Sequence, residues 1–293
     1  MACHALRGGD ARSPAPDRYS YQEEAVNHVV MFSGGAGSWA AAKRVAAQHG
    51  TSRLTLLFTD TMSEDEDLYR FIEEAAANVG VPLTRIADGR SIWELFFQER
   101  MMGNSRADLC SRILKREMAD RWIAERFSPE NCIVYVGIDW TEEHRIKRLA
   151  ELKKPWLYEA PLCGAPYLSR LDVMRMLRDA GIEPPRLYKL GFAHNNCGGF
   201  CVKAGFGHFA NLLRTMPERY AYHEAKEQEF RSMVGRDDIS ILKRQTSSDG
   251  VRRDGYIPVT LRVLREELQA GKQCDMFDIG GCGCFSDTPE VKP

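Results

Sequence analysis

The sequence predicts an α/β fold: a Rossmann-like, doubly wound parallel sheet followed by a smaller, mostly helical, Cys-rich C-terminal region. Three observations carry this. The apolar run Val29-Val30-Met31-Phe32 stops at a Gly-rich turn, Ser33-Gly34-Gly35-Ala36-Gly37-Ser38, and an Ala-rich stretch follows it. Apolar runs then alternate with helical periodicity to about residue 160, as β-α-β units require. Beyond Pro161 the alternation ends, and residues 191–207 become rich in Gly, Asn and Cys.

The elements follow in order. Residues 26–32 read as a buried strand, and 38–48 as a helix stopped by Gly50. A second strand covers 54–59 and closes at Asp60. Ser63 and Glu66 have the spacing of a capping box for the next helix. Leu68, Phe71, Ile72, Ala75, Ala76 and Val79 share one face of it. Residues 81–87 read as a third strand, 110–127 as a helix and 132–138 as a fourth strand. Further on, 169–180 is helical until Glu183-Pro184-Pro185 breaks it. Helices are expected over 218–233 and 260–270, and Gly280-Gly281-Cys282-Gly283-Cys284 is irregular.

This divides the chain into a polar tail (1–25), an α/β unit carrying the Gly-rich turn (26–160) and a helical region with Cys-rich loops (161–293). Lys and Arg number 40 against 41 Asp and Glu. That balance lacks the basic excess of a dedicated nucleic-acid binder, although a local basic patch would still accommodate a nucleic-acid acceptor. No run reaches the roughly 18 apolar residues of a membrane helix, and the first residues lack a signal-peptide core. A cytoplasmic location is expected. Nine cysteines in a reducing compartment point to metal or redox chemistry more than to disulfides. Oligomeric state is not encoded legibly.

The Gly-rich turn sits between a strand and a helix. Glycines allow close backbone approach to an anion, and the free amides of a helix start favour phosphate. Ser33, Gly34, Gly35, Gly37 and Ser38 are therefore candidate nucleotide ligands. The turn resembles the SGGxDS signature of PP-loop ATP pyrophosphatases and of phosphoadenosine phosphosulfate (PAPS) reductase-like proteins. Leu57-Phe58-Thr59-Asp60-Thr61, Cys110-Ser111-Arg112-Ile113-Leu114-Lys115 and Val136-Gly137-Ile138-Asp139 resemble the PAPS-reductase branch. Glu142, Glu143 and Arg145 follow the last of these, and all occur in family order, so the resemblance spans about 26–160. It implies ATP or a sulfonucleotide as ligand, with Asp60 near the ribose or adenine. Gly37 stands where the family usually has Asp, the carboxylate near which Mg²⁺ assists ATP cleavage. Gly137 and Asp139 follow the fourth strand. Arg145 and Arg148 lie three apart on one helical face, suited to phosphate or sulfate.

Cys197-Gly198-Gly199-Phe200-Cys201 and Cys282-Gly283-Cys284 are close pairs among small residues, and Cys110 opens a family-like helix. Cys110, Cys197, Cys201 and at least one of Cys282 and Cys284 are expected to converge on one metal centre, a [4Fe–4S] cluster with zinc as the alternative. Cys132 and Cys3 read as ordinary thiols; Cys163 and Cys274 stay unassigned. His194 precedes the first pair and is a candidate proton donor or substrate contact. Cys284 and Asp139 are the other catalytic candidates. The resemblance implies sulfur chemistry on a nucleotide-activated group. One form is ATP-dependent adenylation and thiolation of an acceptor, using a sulfur donor. Another is sulfonucleotide reduction by a C-terminal Cys with a thiol reductant. A non-catalytic nucleotide-binding protein with structural zinc is the third reading.

Overall fold

The computed structural model describes residues 26–104, 107–245 and 255–280. The expected polar tail (1–25), Cys3, Cys282 and Cys284 lie outside the described residues. The first unit runs β1 (Asn27–Met31), α1 (Ala36–His49), β2 (Leu54–Asp60), α2 (Glu66–Val79), β3 (Leu83–Ala87) and α3 (Ile92–Glu99). It continues through α4 (Leu109–Ser111), a π-helical turn (Arg112–Glu117), α5 (Met118–Ala124), β4 (Cys132–Tyr135), α6 (Glu143–Leu152) and β5 (Leu157–Glu159). The five strands pair in parallel in the order β3-β2-β1-β4-β5. This is a Rossmann-like sheet with flanking helices. The order reverses at β1, so the β1 and β4 carboxyl ends flank a crevice, where such sheets bind ligands.

Side-chain alternation along β1 explains why both faces are covered. Val30 packs with α1 and α2, whereas Val29 and Met31 pack with α5, β4 and Leu149 of α6. A strand buried on both faces reads as a continuous apolar run, which is how β1 and β2 appear in the sequence. Each large apolar side chain removed from water contributes about 1.5–3 kcal/mol.

Beyond residue 160 come α7 (Arg170–Asp179), α8 (Arg186–Lys189), α9 (Phe206–Thr215), α10 (Pro217–Val234), strands β6 (Leu242–Gln245) and β7 (Tyr256–Val259), and α11 (Leu261–Gln269). Val173 and Leu177 of α7 enter the α1 core, and α9, α10 and α11 share a core with Trp93 and Phe96 of α3. The expected boundary at 160/161 is thus bridged by continuous packing.

Several expectations need correction. The α2 N-cap is Asp65, whose side chain accepts from the Asp67 amide. Ser63 instead accepts from the Ile92 amide at the start of α3 (3.3 Å). The third strand starts at Leu83, after Pro82, which has no amide to donate. The fourth strand stops at Tyr135, because Val136 to Asp139 turn over the crevice. The helix expected over 110–127 is interrupted by the π-helical turn. Strand β5 was not expected; three residues are too short for a periodic signal.

Two buried histidines hold parts of this fold. His28 Nδ1 meets the Tyr135 hydroxyl at 2.9 Å, and burial, then the charge of His49, push His28 down to about 4. His223 Nδ1 accepts from Trp93 Nε1 at 2.9 Å, and burial, then Arg219, push it down to about 3. The unfolded chain protonates these rings near pH 6.5 while the folded protein does not, so stability rises with pH between about 4 and 6.5. The melting temperature should therefore fall as pH is lowered from 6.5 to 4 and stay level from 6.5 to 7.5. Equal melting temperatures at pH 5 and 7.5 would contradict the buried neutral rings.

Candidate functional site

The crevice holds a cavity of about 570 Å³. Its floor is the Gly-rich turn. Gly34 adopts φ +77° and lies against Leu68, where a Cβ would stand 2.9 Å from that side chain. Its carbonyl accepts from Asn195 Nδ2 (3.0 Å), so Gly34 shapes the loop and does not line the cavity. Gly35 is the N-cap of α1 and supplies no side-chain cap, which leaves amides of the first turn for an anion. The Ala36 amide donates to the Tyr188 hydroxyl at 3.3 Å. Ser38 Oγ donates to the Gly35 carbonyl at 2.8 Å, so that proton is spent inside the loop.

Gly37 and Gly137 are a pair. A Cβ on Gly37 would stand 3.2 Å from the Gly137 carbonyl oxygen, and one on Gly137 would stand 2.8 Å from the Ser38 amide nitrogen. The β4 exit and the α1 start touch backbone to backbone. A side chain at position 37 would crowd that contact.

Ser33, Gly35, Gly37, Ser38, Gly137, Asp139, Arg145 and His194 line the cavity together. Asp139 accepts from Thr141 N (2.8 Å) and Thr141 Oγ1 (2.5 Å), which orients its carboxylate at the start of a short 3₁₀ turn. Arg145 pairs with Glu142 at 2.6 Å. Burial comes first and nearby positive groups second in pushing His194 down to about 4, so at neutral pH its ring is uncharged. As an uncharged ring it can orient or accept, but it is not an imidazolium acid.

Two expected ligands stand outside this cavity. Asp60 is buried, and Arg85, Tyr69 (3.1 and 3.2 Å) and the Met62 amide (2.8 Å) occupy its carboxylate. Arg148 is exposed, one helical turn beyond Arg145, about 4.5 Å further along α6. The sequence reading also missed Asn195, Arg170 and Tyr188, which line the cavity from distant segments. Asn195 is 1% exposed and its Oδ1 has no partner among the described residues.

A second cavity, about 20 Å³, lies further along the carboxyl edge and reaches Thr61 at the end of β2. Cys110, Cys197 and Cys201 all line it, beside Lys115 and Lys203. The loop carrying two of these thiols is bent through three consecutive positive φ values: Cys197 (+49°), Gly198 (+58°) and Gly199 (+83°). A non-Gly residue in that region is held by its surroundings. The Cys197 amide donates to Glu64 Oε2 (2.5 Å), and Glu64 Oε1 accepts from the buried Lys115 (3.2 Å). Arg219 donates to the Gly198 carbonyl (2.6 Å), and His208 Nε2 to that of Gly199 (2.8 Å). Phe200 stacks on His223 with ring centroids 3.6 Å apart.

Among the described residues no three Cys, His, Asp or Glu side chains are placed to hold a single metal ion. A cluster spreads its thiolates over separate irons and so asks for wider spacing than one zinc ion. Cys132 lies inside β4, and burial raises its thiol to about 12. Cys163 points at the Ile138 carbonyl (3.6 Å).

The close approach at Gly137 yields a prediction. Gly137→Ala should destabilise the protein by about 1–3 kcal/mol, as overpacking does, in urea unfolding. Gly164→Ala, whose Cβ would stand 3.7 Å from its nearest neighbour, should be nearly neutral. Equal effects would mean that the two backbones do not need each other.

No family model matches this chain, and no curated protein does. Among solved structures it is similar to a phosphoadenylyl-sulfate (PAPS) reductase from Candida auris in a phosphate complex. The identity is 18% and the TM-score 0.40, covering 57% of this chain and 78% of that one. Among the described residues no helix is long and apolar enough to cross a membrane.

Proposed function

We propose that this chain is a nucleotide-dependent sulfur-transfer enzyme of the PP-loop type. One observation carries the reading. The stretch 193–203 borders both cavities: Ala193 to Asn196 line the larger, and Cys197 and Phe200 to Lys203 line the smaller. One continuous segment thereby walls both the cavity at the α1 start and the cavity lined by three cysteines.

In this reading an adenine nucleotide lays its phosphates on the amides of α1 and against Arg145. Charge-assisted bonds of that kind are stronger than neutral ones. ATP would adenylate an acceptor oxygen with loss of pyrophosphate. A cysteine persulfide, replenished by a persulfide-bearing sulfur donor, would then displace AMP to form an acceptor–S–S–Cys disulfide. A second thiol would cleave that disulfide, releasing the thiolated acceptor and leaving a new disulfide on the thiols. Asp139 and Glu142 are the carboxylates available to Mg²⁺ at this cavity. Cys110, Cys197 and Cys201, with one of Cys282 and Cys284, would hold a [4Fe–4S] cluster, which supplies sulfur-transfer or electron-transfer chemistry when bound. The acceptor includes nucleic acid only where a local patch offsets the balanced net charge.

One observation favours a second reading. Ile279, five residues before Cys284, lines the nucleotide cavity. A tail thiol there would suit attack on a sulfonucleotide, releasing sulfite after a thiol reductant resolves the S-sulfo intermediate. Pyrophosphate release from ATP with acceptor supports the first reading, and sulfite release from PAPS supports the second.

Calorimetry tests what both share. Wild type should bind ATP or PAPS, Arg145→Ala should bind about tenfold more weakly, and Arg148→Ala should bind as wild type does. Gly35→Val should block binding. No binding of either nucleotide at millimolar concentration overturns the reading, as does equal loss in both arginine variants. Anaerobically purified protein should carry iron that Cys197→Ser removes.

A further inference from the structure

Asn195 lines the larger cavity with only half of its side-chain amide satisfied. Nδ2 donates to the Gly34 carbonyl at 3.0 Å, and Oδ1 has no partner among the described residues. The residue is 1% exposed, so bulk water does not make up the missing bond. A buried carbonyl oxygen without a donor costs free energy.

The amide gains nothing by turning over. A flip would set Oδ1 against the Gly34 carbonyl, acceptor against acceptor. Its anchors are also held. Gly34 stands at φ +77°, and a Cβ there would lie 2.9 Å from Leu68. Two residues beyond Asn195, the Cys197 amide donates to the buried Glu64 carboxylate at 2.5 Å. The unpaired oxygen therefore asks for a donor from whatever fills the cavity.

A nucleotide offers few donors. Its phosphate oxygens accept, and their place is at the amides of the α1 start. Gly34 directly precedes that start, so its partner Asn195 stands close to the phosphates. Past the phosphates, the first donors along a nucleotide are the ribose hydroxyls. The 6-amine of adenine lies further off.

We propose that Asn195 is a specificity-determining residue whose Oδ1 accepts a hydrogen bond from a ribose hydroxyl of the bound nucleotide. The proposal rests on the nucleotide reading given above and adds a requirement to it: the ligand carries a free hydroxyl on its sugar. A site built to pair a hydroxyl rejects the analogue that lacks it, because the protein oxygen is then left buried and unpaired.

The test is calorimetry of the full chain with ATP, 2′-deoxy-ATP and 3′-deoxy-ATP. On wild type, at least one deoxy analogue should bind about fivefold or more weakly than ATP. Asn195→Ala, checked for an unchanged circular dichroism spectrum, should bind ATP and both analogues alike. If PAPS binds and ATP does not, PAPS and its 2′-deoxy analogue make the same comparison, because the 3′ position is then blocked. Equal binding of parent and deoxy nucleotides by the wild type overturns the proposal and leaves the nucleotide reading standing; this arm needs no variant to fold. Discrimination as strong in Asn195→Ala as in wild type also overturns it. Failure of both ATP and PAPS to bind removes the nucleotide reading, and this proposal with it.

Discussion

Glu64 and Asp65 are adjacent, their carboxylates are wholly buried, and both reach from the β2–α2 loop into the C-terminal region. Glu64 takes Lys115 and the amide of Cys197. Asp65 pairs with Arg186 at 2.8 Å and with Arg219 at 3.6 Å, and also caps α2. A buried carboxylate is costly unless it is paired and hydrogen-bonded, so this loop cannot pack without α8, α10 and the cysteine loop in place. The same contacts bring 193–203 over the carboxyl edge of the sheet. Without them the larger cavity loses its His194 and Asn195 wall, and the smaller one loses two of its three thiols.

The two cavities differ in what makes them. The larger follows from backbone: a reversed strand order, a helix start without a side-chain cap, and two glycines in contact. The smaller follows from side chains and strain, with Phe200 stacked on His223 and Cys197 held at positive φ. Rigid backbone suits anion binding, where amides must be ready before the ligand arrives. A strained loop suits thiols whose spacing must be imposed.

That difference also explains what could be read from sequence. The Gly-rich turn and strands β1 and β2 announce themselves locally, by a buried apolar run ending in glycines. Cys110, Cys197 and Cys201 stand out as residue types, and they do line one cavity. Asn195, Arg170 and Tyr188 carry no local signal: packing of α7 and α8 beside α1 brings Arg170 and Tyr188 to the crevice, and Asn195 arrives with the loop 193–203. Arg148 misled because a three-residue spacing fixes a helical face but not how far that face extends along the cavity. Asp60 misled because its partner Arg85 sits on the neighbouring strand β3, in register with Phe58. The Ser63 and Glu66 pattern was genuine capping chemistry assigned to the wrong residue of an acidic loop.

We propose that the larger cavity takes the nucleotide and forms one site with the thiol cavity, joined by residues 193–203. Hydrogen–deuterium exchange on the full chain, with and without saturating ATP or PAPS, tests it directly. Nucleotide should slow exchange in residues 33–38 and in 193–203 together. Protection confined to 33–38, or none in either segment, would contradict a joined site.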